Sequence, residues 1–247
     1  MEAYEKEALM ELNAWKRKLA KNPSMVKDWT KSFQSKMNGY VPDKVHVTIG
    51  NAIRQMIDTT MNTSEYVQKK EPLQHMSLEQ RDEALQKAIV SYRRTASLEG
   101  AGTGAGGILL GMSDFPMLLA IKMRFLFTTA QIYGYDPKRV DERLFLLNVF
   151  QMAFSSRTTQ RETLARMEQW QTFIDEFGEE LTIDQAIDWV TFQLEYRDFI
   201  DVPKTLQLIP GFGLFVGATI NYQLLIQLGE AAQYCYRIRW FQDQLKQ

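Results

Sequence analysis

The sequence predicts an all-α fold, a multi-helix bundle in which two glycine-rich apolar helical segments pack together. Three observations carry this. Apolar residues recur at three- and four-residue steps along nearly the whole chain. Two capping boxes, Ser77–Gln80 and Thr182–Gln185, mark helix starts, with a hydroxyl and a Gln side chain placed to satisfy orphan N–H groups. No stretch alternates with period two between turn signals, so the expectation is roughly eight to ten helices and no sheet.

The elements follow in order. Tyr4, Ala8, Leu12, Trp15 and Leu19 share one helix face, with glutamates crowding the first half and lysines the second, as the helix dipole favours. Pro23 stops this helix. Val26, Trp29, Phe33 and Met37 form a second stripe, ended by Asn38-Gly39, and Pro42 opens a third with Val45, Ile49, Ile53, Met56 and Ile57 inward. Residues 62–76 are polar and read as a loop. From Ser77 a helix carries Leu85, Ala88, Ile89, Tyr92 and Ala96 until it meets Gly100. Asp114-Phe-Pro116 restarts a helix through Met117, Leu118, Ile121, Phe125 and Ile132, closed by Gly134. Asp136 is read as a cap, with Pro137 at the first position of a helix reaching about Phe154. Residues 156–177 form a charged amphipathic helix with Leu164, Met167, Trp170, Phe173 and Ile174 inward. The second capping box opens a helix with Ile187, Val190, Leu194 and Phe199, and residues 205–229 then run without a charged side chain. The whole chain, 1–247, reads as a single domain with a charged helical insert at about 156–203.

Composition narrows the function. A chain of 247 residues with 45% hydrophobic and 24% charged residues can bury a full core. Its net charge of −1 argues against a protein whose work is to neutralise nucleic-acid phosphates. One cysteine, Cys235, allows no internal disulfide, and the N-terminus has no apolar core of signal-peptide type, so the expected location is cytoplasmic. With His46 and His75 as its only histidines, the chain lacks the donors for a His/Cys zinc site, and no metal or other cofactor is expected. No G-x-S-x-G or H-E-x-x-H pattern occurs, and no catalytic residue is assigned.

The glycine segments ask for a different explanation. Gly102-x-Gly104-x-x-Gly107 has dinucleotide-loop spacing, but helical sequence precedes it where a strand is needed, and the acidic partner downstream is missing. Ile108 stands where a Walker loop needs Lys, so no nucleotide is expected to bind. Close helix packing is a better account. Gly100-x-x-x-Gly104 and Gly213-x-x-x-Gly217 remove side chains at small-xxx-small spacing, with Gly111, Pro116, Pro210 and Gly211 shaping the same segments. Membrane contact is the third account. The strongly apolar part, Leu206 to Ile220, is short for a bilayer span, and Gln207, Asn221, Gln223 and Gln227 suit lipid poorly, which leaves shallow insertion open. Near the end, Tyr234, Tyr236, Arg237, Arg239 and Trp240 suit either an interface between apolar and polar surroundings or a final helix with Arg on its wet side.

The order GAGTGAGG, DFP, YGYDP and ERLFLLNV, followed by IPGFGLFVGATINYQLL and RIRWF, resembles the EcsC family of bacterial proteins. The Trp15 region and VPDKVHVTIGNAI at 41–53 are similar too, so the resemblance covers nearly the whole chain. The family is named for a gene beside an ABC transporter involved in protein secretion and its regulation in Gram-positive bacteria. The resemblance implies a helical accessory protein, peripheral at the inner face of the cell membrane, with the membrane surface or a membrane protein such as an ABC transporter as partner. It supplies no catalytic residues. The rival expectation is a hydrolase-type enzyme with a buried carboxylate at Asp114, a residue that equally fits the N-cap of the helix at Pro116.

Overall fold

A computed structural model describes residues 1–21, 76–104, 115–178 and 213–245, with Thr182, Ala186 and Phe192 as single residues between. Of 97–104, 115–116 and 213–220 the backbone alone is described. Among the described residues the fold is all-helical, in seven helices without a strand. They are α1 (Ala3–Ala20), α2 (Leu78–Gly104), α3 (Phe115–Ile132), α4 (Val140–Phe154), α5 (Arg157–Glu168), α6 (Trp170–Asp175) and α7 (Gly213–Gln244).

The local signals act as expected at several points. Ala8, Leu12, Trp15 and Leu19 form the buried face of α1. The Ser77 capping box is formed: the Ser77 N–H donates to Gln80 Oε1 at 3.0 Å and the Gln80 N–H to Ser77 Oγ at 3.3 Å. Gly134 closes α3 in a left-handed conformation, φ +88°. Its N–H donates to Gln131 O and that of Tyr135 to Ala130 O, the paired bonds of a Schellman end. A side chain at Gly134 would also meet the Arg81 guanidinium, 2.7 Å from the Cβ position.

Three boundaries differ from the sequence reading. The helix opened by Ser77 does not stop at Gly100 but continues through Gly102 to Gly104, because isolated glycines weaken a helix by only about 1 kcal/mol each. The helix after Asp136 begins at Val140, later than Pro137. The amphipathic stretch 156–177 breaks at Gln169 into α5 and α6.

α7 is the axis of the fold and packs against α1, α2, α3, α4 and α5. Its Leu225, Leu228, Ala232, Cys235 and Tyr236 are fully buried. α4 is covered on all sides, with Leu144 through Phe150 and Met152 through Phe154 buried, as a helix apolar all round must be. Met167, Trp170 and Phe192 join the same core, so the charged stretch from 156 supplies core residues as well as surface. Arg161 of α5 reaches the end of α1 and donates to the carbonyls of Leu19, Ala20 and Lys21, capping a terminus whose carbonyls have no helical partner.

Candidate functional site

Among the described residues α2 and α7 are the two longest helices, and they make the most extensive contact with each other. They run antiparallel, as four cross-contacts in order show. Asp82 meets Arg237, Gln86 meets Gln233, Ile89 meets Gly229, and the Arg93 guanidinium lies 4.9 Å from the Tyr222 ring centroid. One end of this pair is dense with charge. The other end, Gly100–Gly104 on α2 and Gly213–Gly217 on α7, carries no charged side chain.

At the charged end Asp82 is 2% exposed and surrounded by donors. Arg237 gives it Nε at 2.9 Å and Nη2 at 2.8 Å, the Tyr4 hydroxyl lies at 2.9 Å, and the Tyr133 hydroxyl donates to its other oxygen. Arg237 reaches Glu11 of α1 with Nη1 at 2.6 Å. A second pair lies alongside. Glu142 at the start of α4 accepts from the Tyr236 hydroxyl and from Arg239 Nη1, each at 2.5 Å. The Tyr133 and Tyr236 rings stack between the pairs, centroids 4.8 Å apart. Arg239 lies across the Tyr135 ring at 3.6 Å and the Phe145 ring at 4.4 Å.

This environment fixes the protonation states. Burial works against the charge of Arg237, but Asp82, Glu11 and Tyr4 together outweigh it and hold the guanidinium above its ordinary value. Arg239 is held up against burial in the same way by Glu142 together with Tyr135 and Tyr236. Burial pushes the Glu142 carboxyl up, opposed by Arg239 and the Tyr236 hydroxyl. It also raises the hydroxyls of Tyr133 and Tyr236, and moves Tyr4 up to about 12, so all three remain donors. Asp82 and Glu142 each accept from more than one donor on another helix, and these bonds join the helices. The arrangement ties α1, α2, α4 and α7 together at one end.

The sequence-predicted residues fall as follows. Gly100, Gly102 and Gly104 lie in the last turns of α2, and Gly213 and Gly217 in the first turns of α7. Pro116 lies in the first turn of α3, where a missing N–H costs nothing. Gly107, Gly111, Asp114, Pro210 and Gly211 lie outside the described residues, as do His46 and His75. Asp136 caps the turn before α4: its Oδ1 accepts the Lys138 N–H at 3.0 Å.

The reading of a final helix with its arginines on the wet side fails at Arg237. Arg237 is 2% exposed and Tyr236 fully buried, so these two face the core through charge pairing, while Tyr234, Arg239 and Trp240 are half-buried. The acids Asp82 and Glu142 drew no attention in the sequence because isolated carboxylates in helices look like surface. Gly229 was missed as well. Its absent side chain lets α7 approach α2 so closely that a Cβ would stand 2.5 Å from Ile89 Cδ1. It ends the uncharged run but lies outside the small-xxx-small pattern, which gave no signal for it.

A small cleft of about 130 Å³ lies where α1, α4, α5 and α7 meet, with Trp15, Lys18, Arg157, Gln160, Gln227 and Glu230 on its walls. Gln160 and Gln227 donate to the carbonyls of Met152 and Ala153, so both are committed to the backbone around them. The volume is below the range of ordinary small-molecule sites.

A helical bundle clamped at one end and uncharged at the other defines the class. The EcsC protein family model matches residues 6–241, and the chain belongs to that family. It is 42% identical over 231 residues to Protein EcsC of Bacillus subtilis (strain 168), covering 94% of each chain. It is 28% identical over 152 residues to the uncharacterized protein YdbA of the same organism, covering 62% of this chain and 55% of that one. No solved structure matches.

Proposed function

We propose that this protein is an accessory or binding protein working beside an ABC transporter at the inner face of the cell membrane. It would contact lipid or the transporter through the uncharged ends of its longest helices. The observation that carries this is the lengthwise segregation of charge along α2 and α7. Buried ion pairs lock one end, while the other end offers glycine and aliphatic sequence from three neighbouring helices, α2, α3 and α7. A surface of that composition needs cover from water. Among the described residues no helix is long and apolar enough to cross a membrane. The reading therefore asks for peripheral attachment. The transporter enters through family membership alone.

The test is fractionation of cells into soluble, salt-washable and detergent-extracted pools, followed by affinity purification from the detergent pool. Recovery in the salt-washable or detergent pool together with an ABC transporter subunit is the expected result. A protein found wholly in the soluble pool and free of transporter subunits would sink the proposal.

A further inference from the structure

Between the clamped end and the uncharged end, the stretches of α2, α3 and α7 carry only positive charge. From Ala84 to Leu98 in α2, from Phe115 to Tyr135 around α3, and from Gly213 to Gly229 in α7 there is no Asp or Glu. The same stretches hold Lys87, Arg93, Arg94, Lys122 and Arg124. Lys122 is buried, but Arg94 and Arg124 are exposed and Arg93 is half-buried.

These cations lie at one height of the bundle. The Tyr92 hydroxyl is 2.9 Å from Thr128 Oγ1 and 3.5 Å from the Arg124 carbonyl, which puts the turn of α2 that carries Arg93 and Arg94 at the height of Arg124 on α3. The Arg93 guanidinium over the Tyr222 ring fixes α7 at the same level. Two tyrosines and three arginines thus lie at one height on three helices, the residue types that favour the boundary between headgroups and hydrocarbon.

The lengths beyond this level agree with one another. α2 continues from Arg93 to Gly104, about 16 Å of helix. α3 runs from Arg124 back to Phe115 and α7 from Tyr222 back to Gly213, about 14 Å each. Half the hydrocarbon thickness of a bilayer is about 15 Å. Over these lengths α7 carries no charged residue, α3 only the buried Lys122 at that level, and α2 only Arg94 at that level and Glu99.

We infer that Arg93, Arg94 and Arg124 form a collar that binds the phosphates of anionic lipids, while the three helix ends beyond it enter one leaflet. Charge complementarity and depth select the lipid surface over a protein partner: the three arginines have one sign, lie at one height and stand about one leaflet's depth from the helix tips. The inference rests on the membrane-proximal reading above and commits it to lipid and to one orientation.

The experiment is flotation of the full chain with vesicles of neutral phosphatidylcholine and with vesicles containing about one third phosphatidylglycerol. Arg94→Glu reverses an exposed charge in the collar. Lys138→Glu reverses an exposed charge in the turn at the opposite end of α3. Binding to anionic vesicles that weakens with salt is expected. Arg94→Glu should lower it by about tenfold to thirtyfold, a two-charge change at roughly 1 kcal/mol per charge. Lys138→Glu should leave it unchanged. Equal binding to neutral and anionic vesicles would overturn the collar but leave the membrane reading standing, as would equal losses in the two variants. Binding to neither vesicle would overturn the collar too. Fractionation then decides whether a membrane protein is the partner or the whole reading fails.

Discussion

The two ends of the α2–α7 pair are built from the same helices and solve opposite problems. At the Asp82–Arg237 end, charged groups are buried, and each is matched by fixed donors or acceptors from another helix. At the Gly100–Gly104 and Gly213–Gly217 end, the sequence has no charges to pair and sets glycines beside the apolar Leu214, Phe215 and Val216. Buried ion pairs contribute little net stability compared with apolar packing, but they are costly to break and they fix one arrangement of helices. The comparison teaches that the fold's register is set at one end. This leaves the other end's composition free to answer to a binding surface.

The largest way to break this contrast is Asp82→Ala. It removes the buried partner of Arg237, leaving it the half-exposed Glu11 alone among carboxylates, and takes the acceptor from two tyrosine hydroxyls, so the loss should be about 3–5 kcal/mol, read from the urea midpoint. A loss under about 1 kcal/mol would show that the clamp does not set the register. Gly229→Ala comes next, since a Cβ there stands 2.5 Å from Ile89 Cδ1 and 3.7 Å from Phe125 Cζ. Ile89 must shift, and a cost of about 1–3 kcal/mol is expected by the same measurement.

Gly217→Leu sharpens the contrast at the uncharged end. If residues 100–121 and 205–229 pack on each other, the added side chain overfills the contact and costs about 1–3 kcal/mol. An unchanged urea midpoint with tighter vesicle binding would instead assign Gly217 to the lipid-facing surface.

How much of this could be read from the sequence follows from the range of the interactions. Local chemistry was legible. The Ser77 capping box, the Gly134 helix end and the apolar face of α1 each depend on residues a few positions apart. The clamp was not legible, because its partners are remote: Asp82 and Arg237 are 155 residues apart, and Glu142 and Arg239 are 97. Nothing near Arg237 in the chain signals that a carboxylate waits for it. Gly229 illustrates the same limit. A glycine's neighbours across a helix interface are set by register, and the pair's register comes from those remote contacts. The family could be recognised because its glycine blocks are local patterns that survive as sequence.

A smaller effect tests how α1 is held. The Glu5 carboxylate is penalised by burial, but bonds from Gln244, the Glu2 N–H and Trp240 lower its pKa below the ordinary 4.5. Its folded value lies below its unfolded one, so its contribution is complete above about pH 4.5 and is lost as pH falls through the lower folded value. Glu5→Gln should therefore lower stability near neutrality by that contribution and flatten the loss below about pH 4.5, so that the two chains converge in acid. An acid limb identical to that of the unaltered chain would remove Glu5 from the account of α1 docking. The smallest expected change is Arg94→Glu on stability, within about 0.5 kcal/mol because the residue is exposed, which separates its effect on binding from any effect on folding.

The central claim is that one end of the helix pair holds the fold while the other meets the membrane. Amide hydrogen exchange along α2 and α7, with and without anionic vesicles, tests it most directly. The account predicts strong protection at 82–93 and 224–240 in both conditions, and slower exchange at 97–104 and 213–220 once vesicles are present. Vesicles that bind the protein yet slow exchange at the clamped end, with 97–104 and 213–220 unchanged, would contradict it.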